Sequence, residues 1–183
     1  PKGLLELDGR TFLSRTVSAL VEGGCDPVFV VVEVDEKELA AEAARAGAVV
    51  VENLAPGEGP ITSLRLVLTL LDSTVAGLAY LPVDHPMVRP ETVSTLLQTA
   101  RTKNALLTIP MIGDKRGHPA LFSASLFSEL SDLSLEGGAR TVVHRHLEKA
   151  TQLQVEDPGI LVDVDTPEAY RAVSYTHLRA HET

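Results

Sequence analysis

Val28-Phe29-Val30-Val31-Val32 and, further along, Ala48-Val49-Val50-Val51 are β-branched runs without polar alternation, and the stretch between them is rich in Ala, Glu and Leu. A strand buried on both faces reads this way, and two of them separated by a helix make a parallel pair. Val28–Val32 is therefore expected to be a central parallel strand opened by Pro27. Asp35 stands where it can cap the intervening helix, which runs to about Ala46 and is closed by Gly47.

The pattern repeats on either side. Leu13, Val17, Leu20 and Val21 have helical spacing and are stopped by Gly23-Gly24. After the Gly/Pro-rich loop 53–60 a helix is expected over about 61–71, followed by the strand Leu78-Ala79-Tyr80-Leu81-Pro82-Val83. Pro90 opens a further helix, where its missing N–H costs little. Strands are expected at 105–109, 120–122 and 151–155, with helices near 125–130 and 139–147. Alternating strands and helices predict one α/β domain, a mostly parallel sheet covered on both faces, over residues 1–173.

Composition narrows the function classes. Among 183 residues, 44% are hydrophobic and 22% charged, which excludes a disordered chain or a fibre. No apolar run reaches the ~20 residues of a membrane span. Sixteen Lys and Arg against 25 Asp and Glu leave a net charge of −9, which repels a phosphate backbone, so nucleic acid is not an expected partner. A single cysteine, Cys25, in a turn without a CxxC or nearby His, reads as structural, and with no leader evident the expected location is cytoplasmic. The segment Ser174–Thr183 breaks with the composition before it and resembles a translated adapter sequence; it is set aside as a non-native tail.

Ligands of open α/β sheets sit beyond the carboxyl ends of strands, which directs attention to polar residues there. Asp84 follows the run Leu78–Val83 and leads into His85-Pro86. As a carboxylate at a strand end it suits Mg²⁺; it equally suits an Asx-turn or a cap for the helix at Pro90. Asp163 and Asp165, in Leu161-Val162-Asp163-Val164-Asp165-Thr166-Pro167-Glu168, would share one side of a strand, with a helix starting at Thr166-Pro167. Asparagine 53 to Ser63 places Gly57 and Gly59 ahead of a helix, as a ligand-approaching loop or a plain surface loop would. His118, in Gly117-His118-Pro119, is a donor to a substrate or a structural histidine. His144 and His146 lie two apart on a helix, point to different faces and read as solvated. The sequence has no GxxxxGK[ST], GxGxxG, GxSxG or HExxH motif.

Four separated segments, Lys2-Gly3-Leu4-Leu5-Glu6-Leu7-Asp8-Gly9, Pro82-Val83-Asp84-His85-Pro86, Gly117-His118-Pro119 and Asp163-Val164-Asp165-Thr166-Pro167-Glu168, resemble in order and spacing the MobA-like NTP transferases. The resemblance covers residues 1–173 and is nearest to the branch of molybdenum cofactor cytidylyltransferases. It implies a Rossmann-like three-layer sandwich related to nucleotide-diphospho-sugar transferases. The implied activity is transfer of NMP from CTP or GTP to a phosphorylated acceptor such as molybdopterin, with Mg²⁺, and a molybdoenzyme is an implied partner. Lys2 then matches the lysine that neutralises the NTP phosphates, and Asp84 the Mg²⁺ aspartate. Asp165 matches the second metal position, with Asp163 its competitor. Gly59, Pro60 and Ser63 fall in the substrate-binding loop, and His118 lies near the acceptor. A sugar phosphate or similar phosphoester is the alternative acceptor, and a non-catalytic nucleotide-binding accessory protein the alternative function. Members of the family open with a strand and a Leu-Ala-Ala-Gly-x-Ser-x-Arg-Met-Gly loop immediately before Pro-Lys. The chain starts at Pro1, so a first strand and phosphate loop are expected to be missing and activity to be low or absent.

Overall fold

Asp8 and Gly9 both adopt positive φ, 51° and 71°, and so make the tight turn that an Asp-Gly pair favours. This turn joins β1 (Glu6–Leu7) to β2 (Arg10–Thr11), an antiparallel hairpin preceded by a single 3₁₀ turn at Lys2–Leu4. The computed structural model describes residues 1–181 apart from 56 and 58, and the backbone alone for 177–181. Thr11 ends the hairpin and caps α1 (Phe12–Glu22), its hydroxyl accepting from Ser14 N–H at 3.0 Å. The remaining elements are β3 (Phe29–Glu33), α2 (Lys37–Arg45), β4 (Val49–Asn53), α3 (Pro60–Leu68), β5 (Gly77–Tyr80), α4 (Pro90–Lys103), β6 (Leu107–Ile112), β7 (Lys115–Arg116), β8 (Ala120–Ser123), α5 (Phe127–Ser131), α6 (Ala139–His146), β9 (Thr151–Gln154) and α7 (Pro167–His181).

The β3–α2–β4 unit is parallel, as the two valine runs predict, with Phe29 opposite Val49 and Val32 opposite Glu52. Two details differ. Glu36, not Asp35, occupies the N-cap of α2, and it makes no side-chain cap. Among the described residues β3 pairs only with β4 and is half-buried over Phe29–Val31, so it is not the doubly covered central strand expected.

That place belongs to β6, where Leu107 and Thr108 are fully buried. It lies between β7 and β8, successive parts of the returning chain, on one side and β9 on the other, and β8 in turn pairs with β5. The ladders β5–β8, β6–β8 and β6–β7 are antiparallel and only β6–β9 is parallel, so the larger sheet is mixed rather than mostly parallel. The cause is the connection after β6. Gly113, at φ 60°, turns the chain straight back into β7 and β8, and a parallel return would need a crossover of a dozen or more residues.

Helices cover both faces. Leu64 of α3, Leu130 of α5 and Val142 of α6 pack with Leu107, Ile109 and Phe122 in the main core. On the other face α4, with Val93 and Leu96 buried, lies against β6 and α1. The segment 162–166 is not a strand, so Asp163 and Asp165 do not owe their positions to strand alternation. It is extended chain held to the Asp84 turn by Val164 N–H donating to the Asp84 carbonyl at 2.8 Å. Thr166 caps α7 as expected, accepting from Ala169 N–H at 3.1 Å. α7 continues through the first part of the segment set aside as a tail; Glu182 and Thr183 lie outside the described residues.

Candidate metal and nucleotide site

β5 ends at Tyr80, and the chain turns four residues later, where His85 N–H donates to the Pro82 carbonyl at 3.1 Å. This turn projects the Asp84 carboxylate while burying His85, which is 7% exposed. The His85 Nδ1 lies 2.9 Å from Asp84 Oδ1. That hydrogen bond, aided by the charge of Lys2, holds the Asp84 carboxyl below its ordinary range against the opposing effect of burial. Asp84 therefore stays an anion at neutral pH. It does not cap α4; Arg89 holds that N-cap without a side-chain bond.

The 162–166 segment brings the other acids. Asp163, Asp84 and His85 offer one ligand atom each within 4.8 Å of one another. Two carboxylates are hard oxygen donors that fit Mg²⁺ or Mn²⁺, and the imidazole is a donor that Mn²⁺ tolerates more readily. Asp165, the residue matched to the second metal position, instead forms an ion pair with Lys2. Lys2 Nζ also lies 4.0 Å from Asp84 Oδ2. The Lys2 and Asp165 side chains are about half exposed, 45% and 52%, so the pair is worth little and opens at small cost.

His118 stands behind this cluster. Its ring meets His85 edge to face with centroids 4.5 Å apart. Burial first, and the neighbouring His85 second, push its imidazole down to about 4, so it is neutral at pH 7. Its Nδ1 is buried with no hydrogen-bond partner among the described residues. His118 also lines a cavity of about 740 Å³ between α3 and α6. Pro60 is in the wall of that cavity, whereas Gly59 is the N-cap of α3 at φ 77° and Ser63 is half-buried on the same helix. Tyr80 lines it too, its hydroxyl pushed up by burial and by Asp84.

The structure thus gathers Lys2, Asp84, Asp163, Asp165 and His118 from the two ends and the middle of the chain. Sequence reasoning treated His85 only as a turn residue; its position beside Asp84 and before a proline was the available signal. His146, expected to be solvated, is half-buried and lies 2.6 Å from a Glu129 carboxylate oxygen. His144 is exposed as expected. Cys25 packs against the α1–α2 core, and burial pushes its thiol up to about 11. Among the described residues no helix is long and apolar enough to cross a membrane.

No curated protein matches the sequence. Solved structures do. Rv0371c from Mycobacterium tuberculosis H37Rv, crystallised as a complex with manganese, is 28% identical with a TM-score of 0.78, the match covering 96% of this chain and 92% of that one. A nucleotidyl transferase from Methanothermobacter is 22% identical with a TM-score of 0.82, covering 98% and 86%. CMP:2-keto-3-deoxy-manno-octonic acid synthetase, in complex with CTP, is 16% identical with a TM-score of 0.74, covering 100% and 92%. The last two show a shared mixed α/β nucleotidyltransferase fold. Residues 1–150 match the family described as the MobA-like NTP transferase domain, and the chain belongs to that family of nucleotidyltransferases.

Proposed function

We propose that the protein transfers the nucleoside monophosphate of CTP or GTP to a phosphorylated acceptor, molybdopterin in the first instance, releasing pyrophosphate. The observation that carries this reading is the meeting of Lys2 with the Asp84–Asp163 pair beside His118 and the cavity it lines. Asp84 and Asp163 would hold a divalent cation, with His85 orienting Asp84; bound there, the cation supplies charge neutralisation at the triphosphate. The manganese complex of Rv0371c supports a cation in this fold.

An oxygen of the acceptor phosphate attacks the α-phosphorus. The new P–O bond forms as the bond to the β-phosphate oxygen breaks, and pyrophosphate leaves with the electron pair. The acceptor phosphate is already anionic, so no base is needed, and the work is positioning and electrostatics. Lys2, leaving the exposed Asp165, neutralises charge on the leaving side. Residues 1–173 form the transferase domain in this proposal.

Pyrophosphate release is the test, with CTP and GTP offered in turn, Mg²⁺ or Mn²⁺ present, and molybdopterin or a sugar phosphate as acceptor. Because family members carry a strand and Gly-rich loop ahead of the Pro-Lys, release is measured with the chain as it stands and with such a segment joined before Pro1. Release dependent on molybdopterin, abolished in Asp84→Ala, supports the proposal. Release only with a sugar phosphate changes the acceptor. NTP binding without release under any of these conditions overturns transfer and leaves a nucleotide-binding accessory role.

A further inference from the structure

The chain carries 25 Asp and Glu against 16 Lys and Arg. Yet among the described residues no acidic side chain lines the cavity between α3 and α6, whereas three arginines and two histidines do. A cavity that an acidic protein lines with arginines and histidines and with no carboxylate among the described residues is offered to an anion. Arg65 is engaged, donating to the Leu130 and Asp132 carbonyls at 3.1 and 2.6 Å. Arg140 has only a 3.4 Å contact to His144, and Arg116 projects from the exposed strand β7. Neither pairs with a carboxylate among the described residues, in contrast to Arg45 with Glu42 and Arg145 with Glu129. Both helices that frame the cavity start on it, α3 at Pro60 and α6 at Ala139, and among the described residues neither start has a side-chain cap. The positive ends of their helix dipoles add to the potential there.

The floor says what accompanies the anion. It is built from Ile61, Ile109, Phe122 and Val143 with Tyr80, and among the described lining residues there is no Ser, Thr, Asn or Gln. A polyol body would bury hydroxyls with few partners there, each losing the hydrogen bonds it made to water. A flat ring presents apolar faces to such a floor and gains contact with Tyr80 and Phe122.

We propose that this cavity binds a phosphoester with a largely apolar or planar ring body, the ring on the Tyr80–Phe122 floor and the phosphate held by Arg116 and Arg140. As the acceptor site of the transfer it rests on the function proposed above; as an anion site it does not. His118 lies in its wall and against His85, so a bound anion is separated from the Asp84 cluster by one side chain.

The test is equilibrium binding of 1-naphthyl phosphate to the intact chain, with glycerol 3-phosphate and 1-naphthol as comparators. Naphthyl phosphate is expected to bind on the order of tenfold or more tighter than either comparator. Arg116→Ala with Arg140→Ala should weaken it on the order of tenfold or more, Arg140→Lys should restore most of the loss, and circular dichroism should be unchanged. Equal or tighter binding of glycerol 3-phosphate, or indifference to the arginine substitutions, overturns the proposal. Metal-NTP binding and pyrophosphate release are measured in parallel. Their failure while the naphthyl phosphate results hold removes the transfer reading and leaves the cavity site. Turnover with no effect of the arginine variants on probe affinity or on acceptor KM removes the cavity assignment alone.

Discussion

Lys2 and Asp165, 163 residues apart in sequence, are joined by an ion pair at the mouth of the site, and that pair separates the roles of the two C-terminal aspartates. Asp165 serves as the resting counter-ion of Lys2, whereas Asp163 converges on Asp84 and His85. Substitutions should resolve them in a Mn²⁺ titration. Asp84→Asn and Asp163→Asn should each weaken Mn²⁺ on the order of tenfold or more, while Asp165→Asn changes it less than about threefold. A large loss in Asp165→Asn would return Asp165 to the metal.

The same pair predicts the nucleotide response. Freeing Lys2 by Asp165→Asn should tighten binding of the triphosphate by a few fold, because the lysine no longer exchanges one anion for another. Lys2→Ala should weaken it on the order of tenfold without weakening Mn²⁺, since it removes a positive charge 4.0 Å from Asp84. Nucleotide titration of the two variants at low ionic strength reads both effects.

Asp157 is the buried carboxylate that supports this end of the molecule. At 3% exposure it accepts from Arg89 N–H at 2.9 Å, the Thr92 hydroxyl at 2.7 Å and Gly159 N–H at 3.0 Å. It thereby ties the start of α4 to the 3₁₀ turn Pro158–Leu161, just ahead of Asp163. Asp157→Ala leaves buried donors unpaired and should cost about 2–4 kcal/mol, read as a fall in the denaturation midpoint at unchanged slope. The site's metal affinity should fall with it.

Gly159 and Gly117 are places where the backbone comes too close for a side chain. A Cβ on Gly159 would collide with the Met87 carbonyl, and one on Gly117 with the Ile160 carbonyl. Both obstacles are main chain and cannot rotate away. Gly159→Ala should therefore destabilise by about 1–3 kcal/mol, and Gly47→Ala, at φ 95° with open space around it, by about 1 kcal/mol from backbone strain alone. Thermal melts of the pair compare steric with conformational cost.

Cys25 gives a pH prediction away from the site. Burial raises its thiol from 9.0 to about 11, so the native protein holds its proton through the range where an unfolded thiol loses it. At pH 8 the thiolate fraction should be about a hundredfold lower than in the unfolded chain, with labelling by iodoacetamide slowed accordingly. The excess labelling of the unfolded protein should shrink as the pH rises from 9 and be nearly gone once it passes 11.

Local sequence was enough for the parts of this protein whose physics is local. The β3–α2–β4 unit follows from two valine runs and a glycine stop, α1 from helical spacing ended by Gly23-Gly24, and α7 from Thr166-Pro167. Asp84 was visible because an apolar run delivers it. The direction of β8 was not visible in the reading of strand alternation, although the absence of a helix between Ile109 and Ala120 carried the information; two short strands look alike whichever way the chain returns. Nor was the partition between Asp163 and Asp165, because both lie in one extended segment and only the Val164 bond to the Asp84 carbonyl sets which acid faces the turn. The arginine-lined cavity, with no carboxylate among its described lining residues, is purely tertiary: Arg116, Arg140 and the Tyr80–Phe122 floor come from four separate elements. Periodicity reports a residue's own burial, whereas a site is a set of distances between residues whose separation in the chain says nothing about their separation in space.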